Sequence, residues 1–535
     1  MQKRVIFSYC FMLILLMVAI FRIYQIIMSD YITMTAYSQG KYALNVVSAR
    51  GVIYDRNMRP LVNSDQRYIA SVMPSPESLE AILPLVGEES REHYLERFTT
   101  GFPFTMEISD RNLYARGVDV FRVPVRYGKQ QLAPHVIGYM GSNANNGVAG
   151  IERAYNDLLN SYGTNIDIIY NVDAIGRIMG GNNVSVRRSG TEKAMGGIVL
   201  TIDSNIQAIA QNALADGCDR GAAVVLDVIT GDILGMASLP VYDQNYIANS
   251  LERGDAPFIN RAVSGYSIGS AFKVLIATAA LENGIPVSYS YQCNGSIDIN
   301  GQTFRCNNHS IHGEIDMERA LQVSCNTYFI NLAAEIEPEF VLAFLSNMGF
   351  GASAELAVGI ETQSGNLPDA GELSNKADYA NFSFGQGSTS VTPLQMAVAV
   401  ATLANGGMSV VPRLVLGETP DGTAIVNHSP IYNPSLVIEP ATARRVAGLM
   451  VSVVTDGSGR TAKPIRGGAG GKTSSAQTGR KIDGVEEVHA WFTGFYPAGN
   501  PRYSIIVFVE GGVSGEQVAA PIFKQIADGI GGLYD

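Results

Sequence analysis

A serine and a lysine three positions apart are the first residues in this chain whose types could do chemistry together. Ser270 and Lys273 lie in Tyr266-Ser267-Ile268-Gly269-Ser270-Ala271-Phe272-Lys273, ahead of an Ala- and Leu-rich run without proline that stops at Asn283-Gly284. The run reads as a helix with a glycine stop. Three residues fall just short of one turn, so Lys273 returns beside Ser270 on the same face. A serine hydroxyl is a poor nucleophile at neutral pH. A lysine held against it in an apolar surround gives up its proton and serves as base, and the helix N-terminus adds partial positive charge near the oxygen under attack. The same spacing recurs at Ser38 and Lys41, where no chemistry is assigned. An isolated match is more often a helix cap beside an ordinary lysine, so the weight falls on residues further along the chain.

Two more constellations lie there. Ser324-Cys325-Asn326 begins 54 positions after Ser270 (324 minus 270), at the joint between two helical runs. A hydroxyl and an amide two apart in such a turn both point into one cleft. Gly471-Lys472-Thr473-Ser474-Ser475 comes after the glycine-rich lead from Gly467, and its small residues leave room for a backbone to approach. Each is weak alone, and Ser-x-Asn occurs again at Ser364 to Asn366.

The surrounding elements must place these groups together. Leu200 to Asp203 reads as a strand, and Asp203-Ser204 caps a helix from Asn205 to Ala215. Ala222 to Asp227 and Asp232 to Ser238 read as strands joined by a turn at Thr230-Gly231. A helix-rich block runs from Ser270 to about Leu403, followed by strands at Ala490 to Tyr496 and Tyr503 to Glu510 and a last helix from Gln517 to Ile530. This order predicts an α+β fold, an antiparallel sheet sandwiched by helices. Upstream, Ala49 to Asn57 and Tyr68 to Met73 suggest strands, and Gly147 to Leu159 a glycine-rich turn into a helix. That turn lacks the Gly-Lys-Ser/Thr ending of a phosphate loop. The polar stretch from Gly180 to Gly197 predicts a boundary.

At 535 residues the chain is too long for one ordinary domain. A net charge of −11 disfavours nucleic acid as a partner. Lys3 and Arg4 precede an apolar run from Val5 to Met28 broken only by Arg22, long enough to cross a bilayer. Small residues of a cleavage site do not come after it at Ser29 to Ile32, so it reads as an uncleaved anchor with a cytoplasmic start and the rest outside the cell membrane. Cys293 and Cys306 flank a hairpin-like stretch; they face each other as a disulfide or as two buried thiols. His309 and His312 read as loop residues outside any metal-ligand spacing.

In their order and context, Ser270-x-x-Lys273, Ser324-x-Asn326 and Lys472-Thr473-Ser474 resemble the three-motif active site of penicillin-binding proteins and serine β-lactamases. Asp227 to Ser238 looks like that family's hairpin before the nucleophile. Asn381-Phe382-Ser383-Phe384-Gly385-Gln386-Gly387-Ser388 resembles its Gly-Gln-Gly segment, and His489 to Phe495 its strand after the third motif. Arg50 to Asn57 and Gly150-Ile151-Glu152 look like parts of its non-catalytic N-terminal domain. The likeness is to class B penicillin-binding proteins, since the residues before the catalytic part leave no room for a glycosyltransferase domain. It implies residues 1–4 as a cytoplasmic start, 5–28 as anchor, 29–195 as the non-catalytic domain and 196–535 as the transpeptidase domain.

The roles the resemblance implies are specific. Ser270 attacks the penultimate D-Ala carbonyl of a peptidoglycan stem peptide, Lys273 takes its proton, and Ser324 relays a proton to the leaving D-Ala. Asn326, Lys472, Thr473, Ser474 and Ser475 bind substrate, with backbone N–H groups of Ser270 and Ser475 as oxyanion hole. β-Lactams inhibit, no metal or organic cofactor takes part, and a membrane glycosyltransferase is the expected partner. One position departs: the family has glycine where Ser474 stands, and a Cβ and hydroxyl there crowd the substrate path. Altered acylation is expected, and a non-catalytic scaffold or a β-lactam-hydrolysing or sensing relative is the alternative.

Overall fold

The structure is a computed structural model and describes residues 2–28, 40–109, 111–141, 146–173, 178–179, 184–190, 195–430, 432–482 and 484–533. Ser38, Ser29 to Ile32 and much of the expected 180–197 boundary lie outside the described residues. The chain forms two compact units, one of residues 1–50, 63–126 and 161–194, the other of 51–62, 127–160 and 195–535.

The first unit begins with the helix Gln2–Ile27, whose stretch Lys3–Ile26 is apolar enough and long enough to cross a membrane. It also holds two three-stranded antiparallel sheets, one from Asp65–Val72 flanked by Phe104–Ile108 and Val118–Val125, the other from Thr164–Asn171 flanked by Lys41–Ala49 and Val184–Gly190. The expected strand at Tyr68 to Met73 is thus the longer Asp65–Val72. Two helices follow that strand, Pro76–Ile82, capped by Ser75, and Glu88–Thr100.

The second unit uses strands β1 (Val52–Tyr54), β2 (Gly197–Leu200), β3 (Gly221–Asp227), β4 (Ile233–Leu239), β5 (Gly470–Ile482), β6 (Val485–Tyr496) and β7 (Tyr503–Val509). Its principal helices are α1 (Ser204–Gly217), α2 (Lys273–Glu282), α3 (Met317–Gln322), α4 (Asn326–Ala333), α5 (Pro393–Ala404), α6 (Pro440–Asp456) and α7 (Ala520–Gly531). Five strands form one antiparallel sheet in the order β4-β3-β7-β6-β5. Both faces are covered, and the period-2 alternation of strands sorts the side chains into two cores. Val224, Leu226, Ile506 and Phe508 join the side of α2, α5 and α6; Ala223, Val225, Ile505 and Val507 join the side of α1 and α7. This is the helix-sheet-helix sandwich read from the sequence. Asp203 caps α1 as expected, accepting from the N–H groups of Asn205 and Ile206 at 2.9 and 3.3 Å.

The short strand β1 departs from expectation. Residues 51–62 and 127–160, expected in the non-catalytic domain, belong to the unit of the catalytic-type sheet. The cause is local. β1 pairs in parallel with β2, Val52 opposite Gly197, at a separation so close that a Cβ on Gly197 would sit 1.8 Å from the Val52 oxygen. Asp55, fully buried, then accepts from Asn57 N and Arg59 N at 2.8 Å each and from the Ser204 hydroxyl at 2.7 Å. A short strand has no stability of its own, so a segment with these partners folds with them rather than with its sequence neighbours.

Candidate active site

The nucleophile turn is tighter than the sequence suggested. Gly269–Phe272 is a 3₁₀ turn that runs into α2 at Lys273. At three residues per turn, side chains three apart eclipse, so the tighter turn sets Lys273 directly over Ser270. The backbone N–H of Lys273 donates back to the Ser270 carbonyl. Ser270 is half-buried, and among the described residues its hydroxyl makes no hydrogen bond. The backbone therefore apposes the pair, and no side-chain bond closes it in this state.

Gly269 makes the turn possible. Its φ of +58° is the left-handed region, and a Cβ there would lie 2.6 Å from the Ser474 hydroxyl. Three neighbours fix the turn from outside. Gly269 N–H donates to the Gly385 carbonyl at 2.9 Å, the Trp491 indole N–H donates to the Ser267 carbonyl at 2.9 Å, and Tyr266 and Val391 exchange backbone bonds of 2.9 Å. The Gly-Gln-Gly segment thus acts as a buttress, and Gly385 is required there because a Cβ would meet the Gly269 oxygen at 2.2 Å.

Ser324 sits past the end of α3 with φ +55°, a region a non-glycine residue seldom occupies. The reversal points Ser324 and Asn326 at the same lysine. Lys273 Nζ donates to Asn326 Oδ1 at 2.6 Å, to the Ser324 carbonyl at 2.8 Å and to its hydroxyl at 3.2 Å. Lys472 Nζ, from the edge strand β5, donates to the same Ser324 hydroxyl at 3.1 Å and to the Thr473 carbonyl at 3.0 Å. Ser324 Oγ therefore bridges two lysines, both with 0% exposure. Among the described residues no carboxylate is bonded to either.

That arrangement sets the electrostatics. Burial disfavours the ammonium form and pushes Lys273 down to about 8, against an upward pull from the nearby Cys325 and Cys306 sulfurs. Lys472 is held well below the usual lysine range by burial first and then by the charge of Lys273. Two buried cations so close cannot both stay charged cheaply, so one amine in the pair is a ready base.

On β5 the third motif divides by strand alternation. Lys472 faces Ser324. Thr473 shares a 2.9 Å hydrogen bond with the Ser458 hydroxyl. Ser475 is exposed and accepts from Gly515 N–H at 3.1 Å. Ser474, expected to crowd the substrate path, is 2% exposed and donates its hydroxyl to the Ile268 carbonyl at 2.6 Å, beneath the nucleophile turn. The side chain lies away from open cleft because β5 packs against Gly269, whose lack of a Cβ leaves the space that the hydroxyl takes. Sequence reasoning missed Ser458 and Gly515. Neither carries a motif, and only their place in the fold brings them to β5.

His312 is also placed differently from the sequence reading. It comes together with Cys293, Cys306 and Cys325, all four ligand atoms lying within 4.8 Å of one another. The Cys293 and Cys306 sulfurs are 3.8 Å apart, well beyond a disulfide bond of about 2.05 Å. The spacing rule failed because His312 reaches the cysteines through sheet pairing: Cys293 pairs with Gly313 in the small sheet Tyr291–Cys293 and Gly313–Ile315.

A serine whose partner amine is desolvated and linked through a second hydroxyl to another buried amine belongs to the enzymes that form acyl-serine esters with lysine in the place of histidine. Comparison with known proteins narrows that class. Residues 221–528 match the penicillin binding protein transpeptidase domain, and the chain belongs to that family. Stage V sporulation protein D of Bacillus subtilis is 28% identical, over 98% of this chain and 85% of that protein. Peptidoglycan D,D-transpeptidase MrdA of Escherichia coli is 26% identical, over 91% of this chain and 87% of that protein. Among solved structures, penicillin binding protein 3 of Mycobacterium tuberculosis superposes with a TM-score of 0.66 at 23% identity, covering 92% of this chain and 97% of that one. The same Mycobacterium protein has been solved in complex with aztreonam. These relatives, over most of the chain, are class B penicillin-binding proteins.

Proposed function

We propose that this chain is a serine D,D-transpeptidase that cross-links peptidoglycan and is acylated by β-lactams. The observation that carries the reading is the Ser324 hydroxyl held between Lys472 and Lys273, the latter one 3₁₀ turn from Ser270.

Ser270 Oγ attacks the carbonyl carbon of the penultimate D-Ala, and Lys273 takes the hydroxyl proton. The oxyanion faces the backbone N–H groups of Ser270 and Ser475. The peptide C–N bond breaks as a proton passes from Lys273 through Ser324 to the departing D-Ala nitrogen, leaving an ester on Ser270. An amine from a neighbouring stem peptide then attacks that ester. It loses its proton to the same relay, the C–O bond breaks, and Ser270 recovers its proton. Lys472 and the Thr473 hydroxyl receive the substrate carboxylate, and Asn326 holds Lys273 and the substrate amide. The edge of β5 is the strand along which the peptide lies. The Ser475 hydroxyl stays in reach of the same carboxylate. Ser474 contributes by supporting the turn.

The apolar N-terminal helix supports a single-pass anchor with the catalytic unit outside the cell membrane, beside a glycosyltransferase that supplies new glycan. Full-length protein in detergent, given a synthetic stem pentapeptide and an acceptor amine, should release D-Ala and form the cross-linked product. Ser270→Ala should do neither. Undiminished D-Ala release by Ser270→Ala would remove Ser270 from the mechanism, and hydrolysis without transfer would indicate a lactamase- or carboxypeptidase-like enzyme instead.

A further inference from the structure

We infer that Cys293, Cys306, Cys325 and His312 form a structural zinc site directly behind the Ser324-Cys325-Asn326 turn. Three sulfurs and an imidazole nitrogen converge there, and the three cysteines are 0 to 3% exposed. Two of the sulfur separations match the edges of a tetrahedral zinc site. Zn–S bonds of about 2.3 Å place sulfurs about 3.8 Å apart, and the observed separations are 3.8 Å for Cys293 to Cys306 and 3.6 Å for Cys306 to Cys325. His312 Nδ1 stands 3.2 Å from Cys293 Sγ. Three soft thiolates with one imidazole favour zinc over hard, oxygen-seeking cations.

The surroundings also suit metal-bound sulfur. The Thr327 hydroxyl lies 3.2 to 3.5 Å from all three sulfurs, and the Tyr328 N–H donates to Cys325 at 3.4 Å. Such second contacts orient ligands and stabilise their charge. The four ligands come from four separate pieces of chain: the end of Tyr291–Cys293, the residue after the hairpin Ser296–Arg305, the loop before Gly313–Ile315, and the cap of α4. A metal here would cross-link all four pieces at one point.

The position gives the site a consequence. Asn326 is next to Cys325 and donates through Nδ2 to the carbonyl of Arg305, which precedes Cys306, at 2.9 Å. Its Oδ1 accepts from Lys273. The metal thus clamps both backbone segments that aim Asn326, which makes its ligands positioning residues for the lysine rather than participants in acyl transfer.

The test uses full-length protein purified in detergent without a histidine tag. Elemental analysis should find about one zinc per chain, retained in Cys10→Ser and lost in the double variant Cys293→Ser/Cys306→Ser. Chelator-stripped wild type should take up about one Co²⁺ and develop a thiolate-to-cobalt absorption band, which decides the matter even where the variant fails to fold. Stripped protein that binds neither zinc nor cobalt, zinc content unchanged in the double variant, or a Cys293–Cys306 disulfide in the peptide map would each overturn the site. None of these readings depends on transpeptidase activity.

Discussion

At the scale of the residue, the decisive feature is a lysine kept from its usual charge. Lys273 is buried among neutral acceptors and brought down to about 8. With the free amine as the proposed base, the acylation rate should rise about tenfold per pH unit below that value and level off above it. Stopped-flow acylation across pH 6 to 10 (roughly the window in which such a shifted lysine titrates) checks this, and a flat profile would rule out the lysine as base. Lys273→Ala should slow acylation by about 10²–10⁴-fold, the usual range for a lost general base. Lys472 should behave differently. Removing it takes away the donor proposed for the substrate carboxylate and one partner of Ser324, so Lys472→Ala should raise KM for the peptide as well as lower kcat. The identities of Ser270, Lys273, Ser324, Asn326 and Lys472 were legible in the sequence because each sits in a short motif. Their mutual bonding was not, because the Ser324 bridge depends on a left-handed backbone that spacing does not reveal.

At the scale of the element, β5 and the nucleophile turn form one support. The Ser474 hydroxyl is bonded to the buried Ile268 carbonyl in the space left by Gly269. Ser474→Ala removes one of the hydrogen bonds to that carbonyl, a loss of about 0.5–1.5 kcal/mol. It should lower the thermal midpoint and slow acylation. Ser474→Gly should do the same rather than activate the enzyme; faster acylation in the glycine variant would show that the serine obstructs substrate after all. From the sequence, Ser474 looked like an obstruction, because the one-dimensional motif places it beside the substrate strand. In the structure the side chain shares a face with Lys472 but is turned under Gly269 to the Ile268 carbonyl and buried. The sandwich itself was readable, since Ala222 to Asp227 and Tyr503 to Glu510 carry long apolar runs of the kind buried on both faces.

At the scale of the whole molecule, the two units are interleaved in sequence. Residues 51–62 and 127–160 return to complete the unit that carries the active site, and Asp55 fixes the first of them through bonds to Asn57, Arg59 and Ser204. Asp55→Ala removes the acceptor of several half-buried donors and should cost about 1–3 kcal/mol, seen as a lower thermal midpoint with Ser270 chemistry otherwise intact at low temperature. A chain cut at residue 196 lacks β1 and should express poorly or unfold at lower temperature than the full protein; equal stability of the cut chain would show that these segments are dispensable. Linear reading placed them in an N-terminal domain because only the last joint, at 194/195, falls in a polar stretch that reads as a boundary, and the earlier joints carry no such mark.

The central claim is that Ser270 forms a covalent ester under the control of Lys273. Intact-mass and peptide analysis of full-length protein incubated with benzylpenicillin tests it most directly. The predicted result is an adduct on the peptide containing Ser270, long-lived in wild type, absent in Ser270→Ala and forming faster as the pH is raised towards about 8. An adduct that persists in Ser270→Ala, or well-folded wild type that stays unmodified, would contradict it.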